Sequence, residues 1–198
     1  MKNFYEAVKK RRSYYEIDGE KVVSEEKAEK LIKEAVKYSP TAFNSQSSRV
    51  IVLFDDKHKK LWDIVEESLR NIVPVEQFES TEKKMAKFRN GYGTVLFFED
   101  DTVIKSLQTQ YELYKDNFPV WAEQSNGILQ FVVWTSLELE GLGASLQHYN
   151  PLIDNQVKRE WGIPNNWRLI AQMPFGNPTK KPGEKEFQTI EERVRVIK

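Results

Sequence analysis

Apolar residues recur along this chain mostly at helical spacing, interrupted by a few unbroken β-prone runs. Phe4, Ala7 and Val8 sit at i, i+3 and i+4 and predict a short first helix running into Arg11-Arg12-Ser13. Ser24 is a candidate N-cap, because its hydroxyl can accept from an unpaired first-turn N–H. Glu25 and Glu26 follow, where the helix dipole favours acids. Ala28, Leu31, Ile32, Ala35 and Val36 carry the same helix forward along one stripe until Pro40 ends it. Residues 40–48 read as a polar loop. Val50 to Phe54 is apolar at every position, which predicts a strand buried on both faces. Leu61, Ile64, Val65 and Leu69 mark a third helix. Residues 71–93 are mixed around Pro74 and Gly91-Tyr92-Gly93, Thr94 to Phe98 is a second buried strand, and 102–118 reads as a helix rich in Gln and Tyr.

Trp121 to Glu140 is the longest pattern. Ala122, Ser125, Leu129, Val132, Val133, Ser136 and Leu137 line one side, while Ile128, Phe131 and Trp134 make the other side apolar as well. Such a helix is central, covered by a sheet on one side and by something else on the other. Gly141-Leu142-Gly143 ends it. Gly143 to Tyr149 predicts a third strand, Asn155 to Trp161 a short helix and Leu169 to Phe175 a fourth strand. Beyond Gly176, Pro178, Pro182 and Gly183 suggest chain laid over a surface. Arg193-Val194-Arg195-Val196-Ile197 then alternates as a strand does, with no hairpin partner before it, so it most simply pairs elsewhere, another subunit being one such place. The pattern is that of one α+β domain over residues 1–198.

Composition narrows the chemistry. Lys and Arg number 30, as do Asp and Glu, so the formal net charge is 0 over 198 residues. A balanced chain lacks the basic surplus that non-specific nucleic-acid or anionic-membrane binding needs. At 39% hydrophobic and 12% aromatic it has the makings of a packed core. There is no cysteine, which excludes disulfides, thiolate catalysis, iron–sulfur clusters and Cys-type zinc sites, and the two histidines, His58 and His148, make a multi-histidine metal site improbable. No signal-peptide-like apolar run begins the chain and no 18-residue apolar run occurs, so it reads as a cytoplasmic protein with no membrane partner.

No hydrolase elbow, dinucleotide fingerprint, phosphate loop or zincin motif is present. An enzyme of this sequence would borrow its hard chemistry from a bound cofactor. Arg11-Arg12-Ser13 suits a phosphate, because guanidinium forks give bidentate charge-assisted bonds, although paired arginines also end a helix favourably. Asn44, Gln46, Ser47 and Ser48 offer amides and hydroxyls that can orient a heterocycle, or that simply make a polar turn. His58, in an Asp- and Lys-rich stretch, is expected to be solvated, and His148 to be structural. Tyr111, Tyr114, Phe118 and Trp121 read equally as a lid over a flat substrate or as core.

Taken in order, Arg11-Arg12-Ser13, Ser39-Pro40-Thr41-Ala42-Phe43-Asn44-Ser45-Gln46-Ser47-Ser48-Arg49, Glu140-Gly141-Leu142-Gly143-Ala144-Ser145-Leu146-Gln147-His148-Tyr149 and Phe175-Gly176-Asn177-Pro178 resemble the FMN-dependent nitroreductase family. The likeness is to its short subgroup, typified by the yeast fatty-acid-repression-mutant protein and related bacterial nitroreductases. It implies a nitroreductase-like α+β sandwich, a mixed sheet wrapped by helices, in an intertwined homodimer with C-terminal strand exchange. It also implies FMN at the dimer interface. By that resemblance Arg11, Arg12 and Ser13 hold the FMN phosphate and ribityl chain, and Thr41, Asn44 and Gln46 contact flavin across the interface. Ser145, Leu146 and Gln147 lie beside the isoalloxazine ring with backbone N–H groups facing it. Lys185 takes one half of a Lys-x-Arg phosphate pair whose other half is Phe187 here, and Gln46-Ser47-Ser48 departs from the family's Gln-Pro-Trp.

The implied activity is ping-pong hydride transfer from NADH or NADPH, through FMN, to nitroaromatics, quinones or similar flat electron-poor acceptors. It needs neither a catalytic side chain nor a metal. No arginine cluster marks a 2′-phosphate site, which leans toward NADH. The alternative is a flavin-binding regulatory protein with incidental turnover; a third reading is a non-catalytic interaction module.

Overall fold

The computed structural model describes residues 4–198. In chain order its elements are α1 (Phe4–Lys10), β1 (Ile17–Asp18), α2 (Glu25–Tyr38), β2 (Ser48–Phe54), α3 (Asp55–Arg70), α4 (Phe78–Arg89), β3 (Gly93–Asp100), α5 (Asp101–Gln110), α6 (Phe118–Leu139), β4 (Gly143–Ala144), α7 (Asp154–Trp161), β5 (Trp167–Pro178) and α8 (Ile190–Arg193). Helix α2 starts as its sequence dictates, with the Ser24 hydroxyl accepting from Lys27 N–H, a cap worth about 1 kcal/mol. Strand β3 is buried at every position.

The sheet order is β1-β5-β3-β2, with β4 also pairing β5. Among the described residues all of its ladders are antiparallel, and the parallel component is a bridge between Ser13 and Ala144. Alternation along the strands gives each face its own core. Val95, Phe97, Ala171, Met173 and Phe175 pack with α2 and α6, through Ile32, Leu129 and Val133. Leu53, Leu96, Phe98 and Leu169 face the other way, onto Leu61 and Trp62 of α3, Met85 and Phe88 of α4 and Val157 of α7. Helices therefore cover both faces, in the layered α+β sandwich that the resemblance implies. No helix among the described residues is long and apolar enough to cross a membrane.

Several expectations are corrected. Strand β2 is not buried on both faces: Leu53 alone is fully buried, because β2 is the sheet's outer strand and its far edge has no neighbour among the described residues. The mixed stretch 71–93 contains α4, and the single helix expected over 102–118 stops at Gln110, giving way to a short 3-10 turn at Glu112–Tyr114. The third strand shrinks to Gly143–Ala144 plus a bridge from Gln147 to Gln172. Arg193 ends a four-residue helix, and residues 194–198 form no strand within the chain. His58 is buried, not solvated: it lies on the inner face of α3 and is 1% exposed. His148 is exposed. The second apolar side of α6 is covered only in part: Trp134 packs on the core beneath Arg11, while Ile128 is 43% and Phe131 37% exposed.

Candidate functional site

The end of α1 is tied into the sheet by backbone. Ser13 bridges Ala144, and Tyr14 N–H donates to the Ala144 carbonyl at 2.9 Å. This close approach is why residue 143 is glycine. A Cβ there would lie 2.8 Å from the Tyr14 ring and 3.1 Å from Pro178 Cβ. The contact sets Ser13 and Tyr14 beside Ala144, immediately before Ser145-Leu146-Gln147, although the two segments are far apart in sequence.

Arg11, Arg12 and Ser13 share a groove of about 540 Å³ with Lys180, Lys181 and Lys185. The tail is fastened there by Arg12 Nη2, which donates to the Gly183 carbonyl at 2.7 Å. Five cations thus line the groove against two acids, Glu16 and Glu184. Arg11 lies over the Trp134 ring at 4.2 Å, and its Nε is buried without a hydrogen-bond partner among the described residues. Burial, and then the charge of Arg12, hold its pKa below the ordinary arginine value. A guanidinium short of both water and a full set of acceptors is a good receptor for an oxyanion. Lys180 and Lys181 were not singled out from sequence; the basic stretch punctuated by Pro182 and Gly183 was the available signal.

Thr41 and Gln46 lie elsewhere, lining a cavity of about 690 Å³ with Ile32, Val36, Val50 and Trp167. Gln46 N–H donates to Thr41 Oγ1 at 3.1 Å, closing the loop on itself. Phe43, Asn44 and Gln46 all adopt left-handed backbone, at φ 55, 50 and 50. Each non-glycine residue held there costs roughly 1–2 kcal/mol, and such strain concentrates at functional sites. Asn44 points away from the Gln46 cavity, into a separate one beside Thr102 and Asn166. The aromatic group stays together around Phe43, which stacks on Trp121 at 5.8 Å and meets Tyr111 at 4.9 Å, Phe118 at 5.3 Å and Tyr114 at 6.0 Å; Phe118 is buried and Tyr114 is 45% exposed.

Ser145 and Gln147 are buried, joined by Gln147 Nε2 donating to Ser145 Oγ at 3.1 Å. Their backbone N–H groups do not face outward as expected. They donate to the Pro174 and Gln172 carbonyls at 3.2 and 2.7 Å, because the segment runs along β5. By strand alternation, only the Leu146 N–H of the three is directed away from β5. Within one chain, then, Arg11, Arg12, Ser13 and Lys185 form one group, with Ser145-Leu146-Gln147 following the Ala144 to which Ser13 is bridged, and Thr41 and Gln46 form another.

Comparison with known proteins agrees on one family. The sequence profile described as the nitroreductase family matches residues 8–177. Nitroreductase FRM2 of Saccharomyces cerevisiae is 33% identical over 187 residues, covering 93% of each chain. Nitroreductase CinD from Lactococcus lactis, solved in complex with nicotinic acid, is 47% identical with a TM-score of 0.92, covering 99% of this chain and 100% of that one. CinD has also been solved with chloramphenicol and with 4-nitrophenol. A nitroreductase with bound FMN from Desulfitobacterium hafniense shares the fold at a TM-score of 0.73 and 15% identity, covering 100% of each chain.

Proposed function

This chain belongs to the nitroreductase family, and on that footing we propose that it is an FMN-dependent oxidoreductase that takes hydride from NADH or NADPH and delivers it to nitroaromatics, quinones or related flat, electron-poor acceptors. The observation that carries the reading is the cationic groove. Arg11, Arg12 and Lys185 converge there from opposite ends of the chain, and Arg11 Nε is buried and unpartnered. That donor set fits the phosphate of FMN. The FMN-bound fold neighbour supports the same cofactor.

The residues have distinct tasks. Arg11, Arg12 and Lys185 anchor the phosphate, and Ser13 serves the ribityl chain from its place beside Ala144. Ser145, Leu146 and Gln147 flank the ring, with the Leu146 N–H as the backbone donor left to it. Thr41 and Gln46 approach from the partner protomer of a homodimer, while Asn44 lies on the other side of their loop. Separate half-sites in one chain, a β2 edge unpaired among the described residues and the exposed Ile128 and Phe131 of α6 support that assembly. Bound FMN would supply the two-electron chemistry, with donor and acceptor using one face in turn, the ping-pong order. No side-chain nucleophile is required; the protein orients the ring and opposes the negative charge of its reduced form with fixed donors and cations.

The test is a flavin titration of Arg11→Ala. Loss of a charge-assisted phosphate contact worth about 1.5–3 kcal/mol predicts FMN binding weakened at least tenfold, followed by quenching of flavin fluorescence. Unchanged affinity would remove Arg11 from the site.

A further inference from the structure

Glu99 has no part in the chemistry above, yet it is fully buried on the face of β3 that packs against α6. Its Oε1 accepts from the Ser48 hydroxyl at 2.5 Å and from Asn126 Nδ2 at 2.7 Å. Asn126 Nδ2 is also 3.2 Å from the Phe98 carbonyl, and its own Oδ1 accepts from Gln130 Nε2 at 2.7 Å. Glu99 Oε2 is buried with no hydrogen-bond partner among the described residues.

The next residue points the other way. Asp100 holds Arg49 Nη2 at 3.0 Å and accepts from Thr102 N–H at 3.0 Å and Asn166 Nδ2 at 2.7 Å. Arg49 Nη1 in turn donates to the Gln46 carbonyl at 2.7 Å. Consecutive acids of β3 therefore grip consecutive residues of β2 from opposite faces. They do so where the chain leaves the strained loop that carries Thr41, Asn44 and Gln46.

A carboxyl buried without a cation among its hydrogen-bond partners is costly, and an apolar side chain would fill the same space without that cost. Packing alone does not call for it. What it adds is direction: a fixed acceptor that sets where Ser48 sits and hence how the left-handed loop is delivered. We propose that Glu99 is a positioning residue for the flavin-contacting loop, acting through Ser48 and Asn126 to hold Gln46 and its neighbours in the conformation that receives the ring. The flavin half of this statement rests on the proposed function; the loop-holding half does not.

The experiment pairs hydrogen–deuterium exchange of the apoprotein with FMN titration in Glu99→Leu, Glu99→Gln and Ser48→Ala. Glu99→Gln keeps the Oε1 acceptor. Expected for Glu99→Leu is about tenfold faster amide exchange over residues 41–49, with β3 and β5 unchanged, and about tenfold weaker FMN binding. Ser48→Ala is expected to do the same more mildly, and it carries the test if Glu99→Leu does not fold. Glu99→Gln should stay within about threefold of the parent in both readouts. A loop whose exchange does not change in Glu99→Leu or Ser48→Ala overturns the proposal, as does Glu99→Gln behaving like Glu99→Leu. A loosened loop with unaltered FMN affinity overturns the flavin-positioning role. If the parent protein itself takes up no FMN, the flavin reading fails while loop exchange still decides the clamp.

Discussion

Inside the second core, His58 Nε2 lies 3.2 Å from the Arg89 carbonyl and Nδ1 lies 2.8 Å from Thr94 Oγ1. A carbonyl can only accept, so the neutral ring donates from Nε2 and accepts a hydrogen bond from the Thr94 hydroxyl at Nδ1. Thr94 Oγ1 also accepts from Trp62 Nε1 at 3.0 Å. Burial disfavours the imidazolium and lowers the His58 pKa to about 4. The unfolded chain, near the ordinary 6.5, then binds the proton first as pH falls. Stability from this residue is therefore complete above about pH 6.5 and is lost progressively down to about pH 4, by about 3 kcal/mol in all. Urea unfolding at pH 7 and pH 5 should show the parent losing more stability than His58→Leu over that interval, although the variant starts lower. Equal losses in the two proteins would contradict the assignment. The residue was misread because its neighbours Asp56, Lys57 and Lys59 are charged, whereas 58, 61, 62 and 65 fall on one helical stripe. At Gly143, alanine is predicted to cost about 1–3 kcal/mol, since its Cβ would meet the Tyr14 ring; an unshifted melting temperature would contradict that contact.

At the scale of elements, helices with strong apolar stripes were legible, and so was the buried strand β3, because periodicity reports burial directly. What sequence could not show was position within the sheet. Val50 to Phe54 is as apolar as a central strand, yet it lies at the edge; nothing in five consecutive residues says which neighbours a strand will have. Helix α4 was missed because its buried residues, Phe78, Met85 and Phe88, are sparse among charges. The loop 41–47 was recognised by its amides, but not its left-handed backbone, which Phe and Gln seldom adopt and do not advertise. For that reason Asn44 and Gln46 were grouped in sequence and diverge in space. The exposed side of α6 makes a prediction of its own. Phe131→Asp should shift a homodimer toward monomer in sedimentation at low micromolar concentration, and flavin retention should fall with it. Deleting residues 190–198 should weaken the dimer similarly if the terminal segment pairs with the partner. Variants that stay fully dimeric would put the interface elsewhere.

Across the whole molecule, the cationic groove and the amide loop occupy separate places on one chain, each half of the flavin site proposed above. The groove was legible only in part. Arg11-Arg12-Ser13 stands out locally, but its partnership with Lys180, Lys181 and Lys185 spans most of the sequence and exists only once β4 has seated the α1 end against the sheet. The central claim is that this fold holds a reducible flavin and uses it. The most direct test is an absorption spectrum of the purified protein, supplied with FMN if needed, followed by NADH or NADPH in the absence of air. The account predicts a yellow protein whose flavin absorption bleaches on adding a donor and returns when a nitroaromatic or quinone is supplied. A protein that takes up no FMN, or a bound flavin whose colour persists with both donors, would contradict it.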